Sequence, residues 1–80
     1  MNYFYILKCK DGTLYSGTTK NIKERAKKHN TGKGSKYVFS RGGGKIVYSE
    51  KYKTLSQALK REAQVKNWPR IKKLALLTSR

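Results

Sequence analysis

The segment from Tyr3 to Thr18 constrains the fold most. It is an aromatic and β-branched run, Tyr3-Phe4-Tyr5-Ile6-Leu7-Lys8-Cys9, then Lys10-Asp11-Gly12, then a second run, Thr13-Leu14-Tyr15-Ser16-Gly17-Thr18. Two such runs around Asp-Gly read as a β-hairpin. A two-residue Asp11-Gly12 loop would pair Lys8 with Tyr15 and set Tyr5 and Tyr15 on opposite faces. A three-residue loop, Lys10-Asp11-Gly12, uses Gly12 at the left-handed position and pairs Leu7 with Tyr15 and Tyr5 with Gly17. The second is favoured, and it puts both tyrosines on one face beside a small residue. In the same alternation Cys9, the only cysteine, reads as a small buried residue, and no internal disulfide can form.

Eighty residues support one domain, residues 1–80, with a modest core. Twenty lysines and arginines face four acidic residues, leaving a net charge of +16. Such a field favours a polyanion, most often nucleic acid. The basic residues are spread along the chain rather than gathered on one amphipathic helix, so a membrane is not the expected partner. Neither a spanning run nor a signal-peptide pattern appears, and a cytoplasmic location is expected. The carboxylates are Asp11, Glu24, Glu50 and Glu62, apart from the chain end. Asp11 belongs to the turn. A two-metal nuclease needs several clustered carboxylates, so hydrolysis of phosphodiesters by this chain would use one metal or none.

After the hairpin, Asn21 and Glu24 resemble a capping box, predicting a helix from about Ile22 to Asn30. Ile22, Arg25, Ala26 and His29 share its inward face, while Lys23, Lys27 and Lys28 take the other side. Arg25 and His29 are therefore polar groups on the stripe that should meet the sheet. Each is either an edge residue of ordinary kind or a group with a chemical task. From Gly32 to Gly44 runs a basic stretch with glycine-rich ends. It has neither P-loop nor dinucleotide-binding spacing. Lys33, Lys36, Tyr37, Phe39 and Arg41 could contact phosphates and stack on bases, or the stretch is a linker whose aromatics cover the core. Lys45–Tyr52 reads as the third strand. Thr54 with Gln57 opens a second helix. Its stripe of Leu55, Ala58, Leu59, Glu62 and Val65/Lys66 holds a carboxylate where leucine is expected. An ionised Glu62 there needs a cation, either a basic side chain such as Arg25 or a metal. Pro69 suits the first turn of a third helix, with Ile71, Leu74 and Leu77 on its buried face.

Tyr5, Tyr15, Arg25, His29 and Glu62 thus converge on one hypothetical cleft. With these residues the chain resembles the GIY-YIG nuclease domain, especially its small stand-alone bacterial members. Tyr3-Phe4-Tyr5 matches the first motif and Tyr15-Ser16-Gly17 the second. Arg25 to Asn30 resembles the Arg-x3-His helix, and Leu59-Lys60-Arg61-Glu62-Ala63 the glutamate helix. Gly32 to Tyr37 is similar to a segment typical of the small members. The first motif departs from Gly-Ile-Tyr, the second from Tyr-Ile-Gly, and Thr18 stands where some members carry lysine, with Lys20 the nearest substitute.

The resemblance implies an α+β fold, a three-stranded antiparallel sheet flanked by about three helices. It also implies hydrolysis of DNA phosphodiesters with one divalent cation, Mg²⁺ or Mn²⁺. Glu62 would hold the metal, Arg25 would contact the phosphate, and Tyr5 or Tyr15 would activate water. His29 would hydrogen-bond a tyrosine or the phosphate, and Gly17 would keep the strand open to substrate. Lys20, Lys33, Lys36, Tyr37 and Arg41 would complete the nucleic-acid surface. The expected partner is DNA, with branched or nicked forms as candidate substrates in repair or recombination. RNA is an alternative ligand, and a protein partner could supply targeting. A different reading is a non-catalytic nucleic-acid-binding module that kept the fold.

Overall fold

The computed structural model describes residues 1–30 and 39–78. Three strands, β1 (Asn2–Cys9), β2 (Leu14–Thr19) and β3 (Gly44–Tyr52), form an antiparallel sheet in the order β2-β1-β3. Helix α1 (Ile22–Asn30) follows β2, and α2 (Leu55–Lys66) and α3 (Arg70–Thr78) follow β3. The fold is α+β, as expected. No helix among the described residues is long and apolar enough to cross a membrane.

The hairpin takes the three-residue loop. Tyr5 pairs with Gly17 and Leu7 with Tyr15. The Cys9 amide donates to the Thr13 carbonyl at 2.8 Å, and Gly12 adopts φ +90°, which residues with a Cβ rarely tolerate. Asp11 closes the turn by accepting from the Thr13 amide at 2.9 Å. It also accepts from Arg41 at 2.8 Å, tying the segment before β3 to the hairpin tip.

As the central strand, β1 is buried on both faces. Tyr5, Leu7 and Cys9 form one core cluster with Tyr15, Ile22 and Ile46. Phe4, Ile6 and Val65 form the other, joined by Val47, Tyr48, Trp68, Leu76 and Leu77. Helix α1 therefore serves one face of the sheet, and α2 and α3 the other. The pairing of β1 with β3 slips between Ile6 and Leu7: Ile6 faces Tyr48 and Leu7 faces Ile46. Val47 is the extra residue of this bulge, which lets consecutive residues serve the same cluster.

The helix starts follow their capping chemistry. Asn21 accepts from the Glu24 amide at 3.0 Å. At α2, Thr54 accepts from the Gln57 amide at 3.2 Å, and the Gln57 side chain accepts from the Thr54 amide at 3.4 Å, a complete capping box. Two expected stripes are corrected. Leu55 and Leu59 are 48% and 44% exposed, and it is Ala58 and Val65 that are buried. In α3, Ile71 is 78% exposed, while Leu76 and Leu77 pack on the core. The chain turns at Trp68-Pro69; Trp68 packs against the core, while Ile71 in the first turn of α3 stays outside it.

A polar cluster anchors β3 to α2. Tyr48 and Tyr52 donate to the two carboxylate oxygens of Glu50 at 2.5 and 2.6 Å. Arg61 adds bonds to both oxygens at 3.0 and 3.2 Å. Burial pushes the Glu50 carboxyl pKa up, but the donors Arg61, Tyr48 and Tyr52 outweigh it and hold the group below its ordinary value. The Tyr52 phenol is pushed up to about 12, by burial first and then by its bond to Glu50. The Arg61 guanidinium also lies 5.1 Å from the Trp68 ring centre, and the Lys72 ammonium 4.3 Å from it.

Candidate active site

Tyr5 is the centre of the site. Strand β1 carries it into the α1-side cluster, where it is 2% exposed. Its ring crosses β2 directly above Gly17: a Cβ there would stand 2.5 Å from the Tyr5 hydroxyl oxygen and 2.7 Å from Cζ. Gly17 is buried, and the space over it is filled by Tyr5. The need for glycine at this position comes from the tyrosine of the partner strand.

Three of the other residues expected at the site, Tyr15, Arg25 and Glu62, exert charge effects on this phenol. Burial pushes the Tyr5 phenol well above its ordinary pKa, the charge of Tyr15 pushes it further, Arg25 opposes the shift, and Glu62 adds to it. Tyr15, Arg25 and Glu62 are thus all within electrostatic reach of one hydroxyl. They arrive from three elements: Tyr15 from β2, Arg25 from α1 and Glu62 from α2. Arg25 is half-buried on the α1 face that holds Ile22, and Lys23, Lys27 and Lys28 are exposed. His29 follows Arg25 by one turn, and its side chain lies outside the described residues.

Glu62 stands where α2 passes the edge of β2. It lines a cleft of about 400 Å³ with Leu14, Tyr15, Ser16, Lys66 and Lys73. Tyr15 points to the α1 side, with Leu7. Leu14 packs with the opposite cluster, so the cleft wraps around the strand edge. Among the described residues Glu62 has no ion pair, although the chain carries twenty lysines and arginines. The other three carboxylates are each paired: Glu24 with Lys28, Asp11 with Arg41 and Glu50 with Arg61. The expectation that Arg25 might neutralise Glu62 directly is not met. Both act on Tyr5, with opposite signs.

The remaining expected residues are scattered. Lys20 is exposed and lines a separate cleft with Tyr3, Asn21, Ile22, Lys23 and Ser49. Arg41 is engaged with Asp11 at the hairpin tip. Lys33, Lys36 and Tyr37 lie outside the described residues. Ser16, Lys66 and Lys73 belong to the Glu62 cleft and were not among the expected site residues. Lys66 was within reach of sequence reasoning, since it follows Glu62 by one turn of the same helix. Lys73 joins only through the packing of α3.

The family model of the GIY-YIG catalytic domain matches residues 1–75. The chain is 49% identical over 77 residues to a UPF0213 protein of Staphylococcus saprophyticus, covering 96% of this chain and 94% of that one. It is 47% identical over 79 residues to a UPF0213 protein of Staphylococcus aureus, covering 99% and 96%. The solution structure of a UPF0213 protein from Bacillus halodurans superposes with a TM-score of 0.63 at 41% identity, covering all of this chain and 86% of that one.

Proposed function

Since the chain belongs to the GIY-YIG family of nuclease catalytic domains, we propose that it is an endonuclease that hydrolyses DNA phosphodiesters with one divalent cation, Mg²⁺ or Mn²⁺. The observation that carries this reading is the cleft that sets Glu62 beside Tyr15 and Ser16, with Glu62 left without an ion pair among the described residues. An unneutralised carboxylate in so basic a chain repels phosphate. A binding surface alone has no use for it, whereas a cation site does.

The donors fit such an ion. Glu62 offers a carboxylate, and Tyr15 and Ser16 offer oxygens in the same cleft. No group of three or more His, Cys, Asp or Glu able to hold a metal occurs among the described residues. One carboxylate with neighbouring oxygens suits a hard cation that keeps most of its water, and Mg²⁺ binds in that manner. When bound, the cation supplies positive charge to the phosphoryl group and the leaving oxygen.

The chain's own residues divide the other tasks. Arg25 donates to the non-bridging oxygens and stabilises the charge that builds there in the transition state. Tyr15 takes the proton from the attacking water as its own phenol proton passes to solvent. Tyr5 is unsuited to that step, because burial holds its proton on. It acts as a fixed hydrogen-bond donor that orients the reacting groups. Lys66 and Lys73 draw the DNA backbone toward the cleft. Contacts of this kind read backbone rather than base edges, so selectivity would follow the shape of the substrate, as in nicked, flapped or branched DNA.

The test is incubation of labelled duplex, nicked, flap, fork and four-way-junction DNA with the protein and Mg²⁺ or Mn²⁺. Cleavage of one or more that stops on chelation supports the reading. Binding throughout with no cleavage would assign the chain to the non-catalytic binding modules.

A further inference from the structure

A second groove, of about 380 Å³, is lined by Lys8, Cys9, Lys10, Asn30, Gly44 and Lys45. Lys8 and Lys45 are direct cross-strand partners on β1 and β3, and both are exposed. Like charges directly opposite on a sheet destabilise it. None of the carboxylates relieves them, because Asp11, Glu24 and Glu50 are paired elsewhere and Glu62 lines the other cleft. Lys10 adds a third cation at the same end of the sheet. The groove floor is firmly held: the Asn30 amide donates to the Gly44 carbonyl at 2.8 Å and accepts from the Gly44 amide at 2.9 Å.

One row of cross-strand partners links the walls of the two clefts. Leu14, in the wall of the Glu62 cleft, is the cross-strand partner of Lys8, which is the partner of Lys45. Adjacent strands are about 4.8 Å apart, so the row Leu14-Lys8-Lys45 spans about 10 Å. A DNA strand advances about 3.4 Å per phosphate along its helix axis. A strand leaving the Glu62 cleft along this row would bring two or three phosphates past Lys8 and Lys45.

We propose that Lys8 and Lys45, with Lys10, form a second phosphate-binding groove that holds the DNA backbone a few nucleotides away from the bond being cut. This rests on the reading of the Glu62 cleft as a nuclease site. The groove is a positioning element: it makes no contact with the reacting atoms and offsets the mutual repulsion of its lysines only when the DNA is in place.

The test compares the double variant Lys8→Gln/Lys45→Gln with a charge-matched control, Lys53→Gln/Lys60→Gln, whose lysines are exposed and lie outside both clefts. Affinity for a labelled DNA cleaved by the wild type is measured against salt concentration. Each lost phosphate contact reduces the slope of log K against log salt by about 0.7–0.9. The groove variant should lose roughly 1.4–1.8 from that slope, raise KM with little change in kcat, and melt at a higher temperature without DNA. The control should keep the wild-type slope. Equal slopes for the two double variants, with wild-type cleavage intact, would overturn the groove and leave the nuclease reading standing. A wild type that neither binds nor cuts any DNA would overturn both.

Discussion

The division of labour between Tyr5 and Tyr15 is decided residue by residue. A phenol has a reference pKa of about 10, and burial moves Tyr5 further from the working range. Tyr15→Phe should therefore lower kcat by about 10²–10⁴, and Tyr5→Phe should lower it by a smaller factor. Single-turnover rates for both variants check this, and a Tyr15→Phe variant that cuts as fast as the wild type contradicts it. Gly17→Ala drives a methyl group into the Tyr5 ring. It should cost about 1–3 kcal/mol, as overpacking does, read by urea unfolding. The shared face of the two tyrosines was legible because Asp11-Gly12 sets the register. The reason for Gly17 was not, since the ring that fills its space comes from another strand.

Among the elements, the joint between β3 and α2 is the most consequential that sequence reasoning passed over. Tyr48, Glu50 and Tyr52 alternate along β3, a pattern visible in the sequence, but their convergence on Arg61 needs the tertiary fold. Glu50 and Arg61 side chains are only about one-fifth exposed, 20% and 21%. Arg61→Ala should cost about 1.5–3 kcal/mol, the range for hydrogen bonds to charged groups. Glu50 is held below its ordinary 4.5 in the folded state, so its contribution is present above pH 4.5 and is lost as the pH falls through the folded value. Asp11, lowered to about 2 by its bonds to Thr13 and Arg41, loses its contribution between its ordinary 3.8 and about 2. Melting temperature should fall steadily below pH 4.5, and less steeply in Glu50→Gln. Helix starts were legible because capping is local. The buried stripes of α2 and α3 were legible only in part. Hydrophobic period gives a face but not its angle to the sheet, which explains exposed Leu55, Leu59 and Ile71.

At the scale of the whole molecule, charge and topology act together. A net charge of +16 announces a polyanion without saying where it binds. The sheet order β2-β1-β3 sets the Glu62 cleft at the β2 edge and the Lys8-Lys45 pair across β1 and β3. The scarcity of carboxylates was legible as a limit of one metal at most. That Glu62 is the one left without a partner among the described residues emerges only from the folded chain, where Glu24, Asp11 and Glu50 find theirs. The central claim is that this carboxylate holds a cation for phosphodiester hydrolysis. The most direct measurement is cleavage of labelled DNA with Mg²⁺ or Mn²⁺ by the wild type beside Glu62→Gln, with DNA affinity measured for both. Cleavage confined to the wild type, with affinity kept in the variant, is the expected result. Equal cleavage by both proteins would contradict the assignment of Glu62.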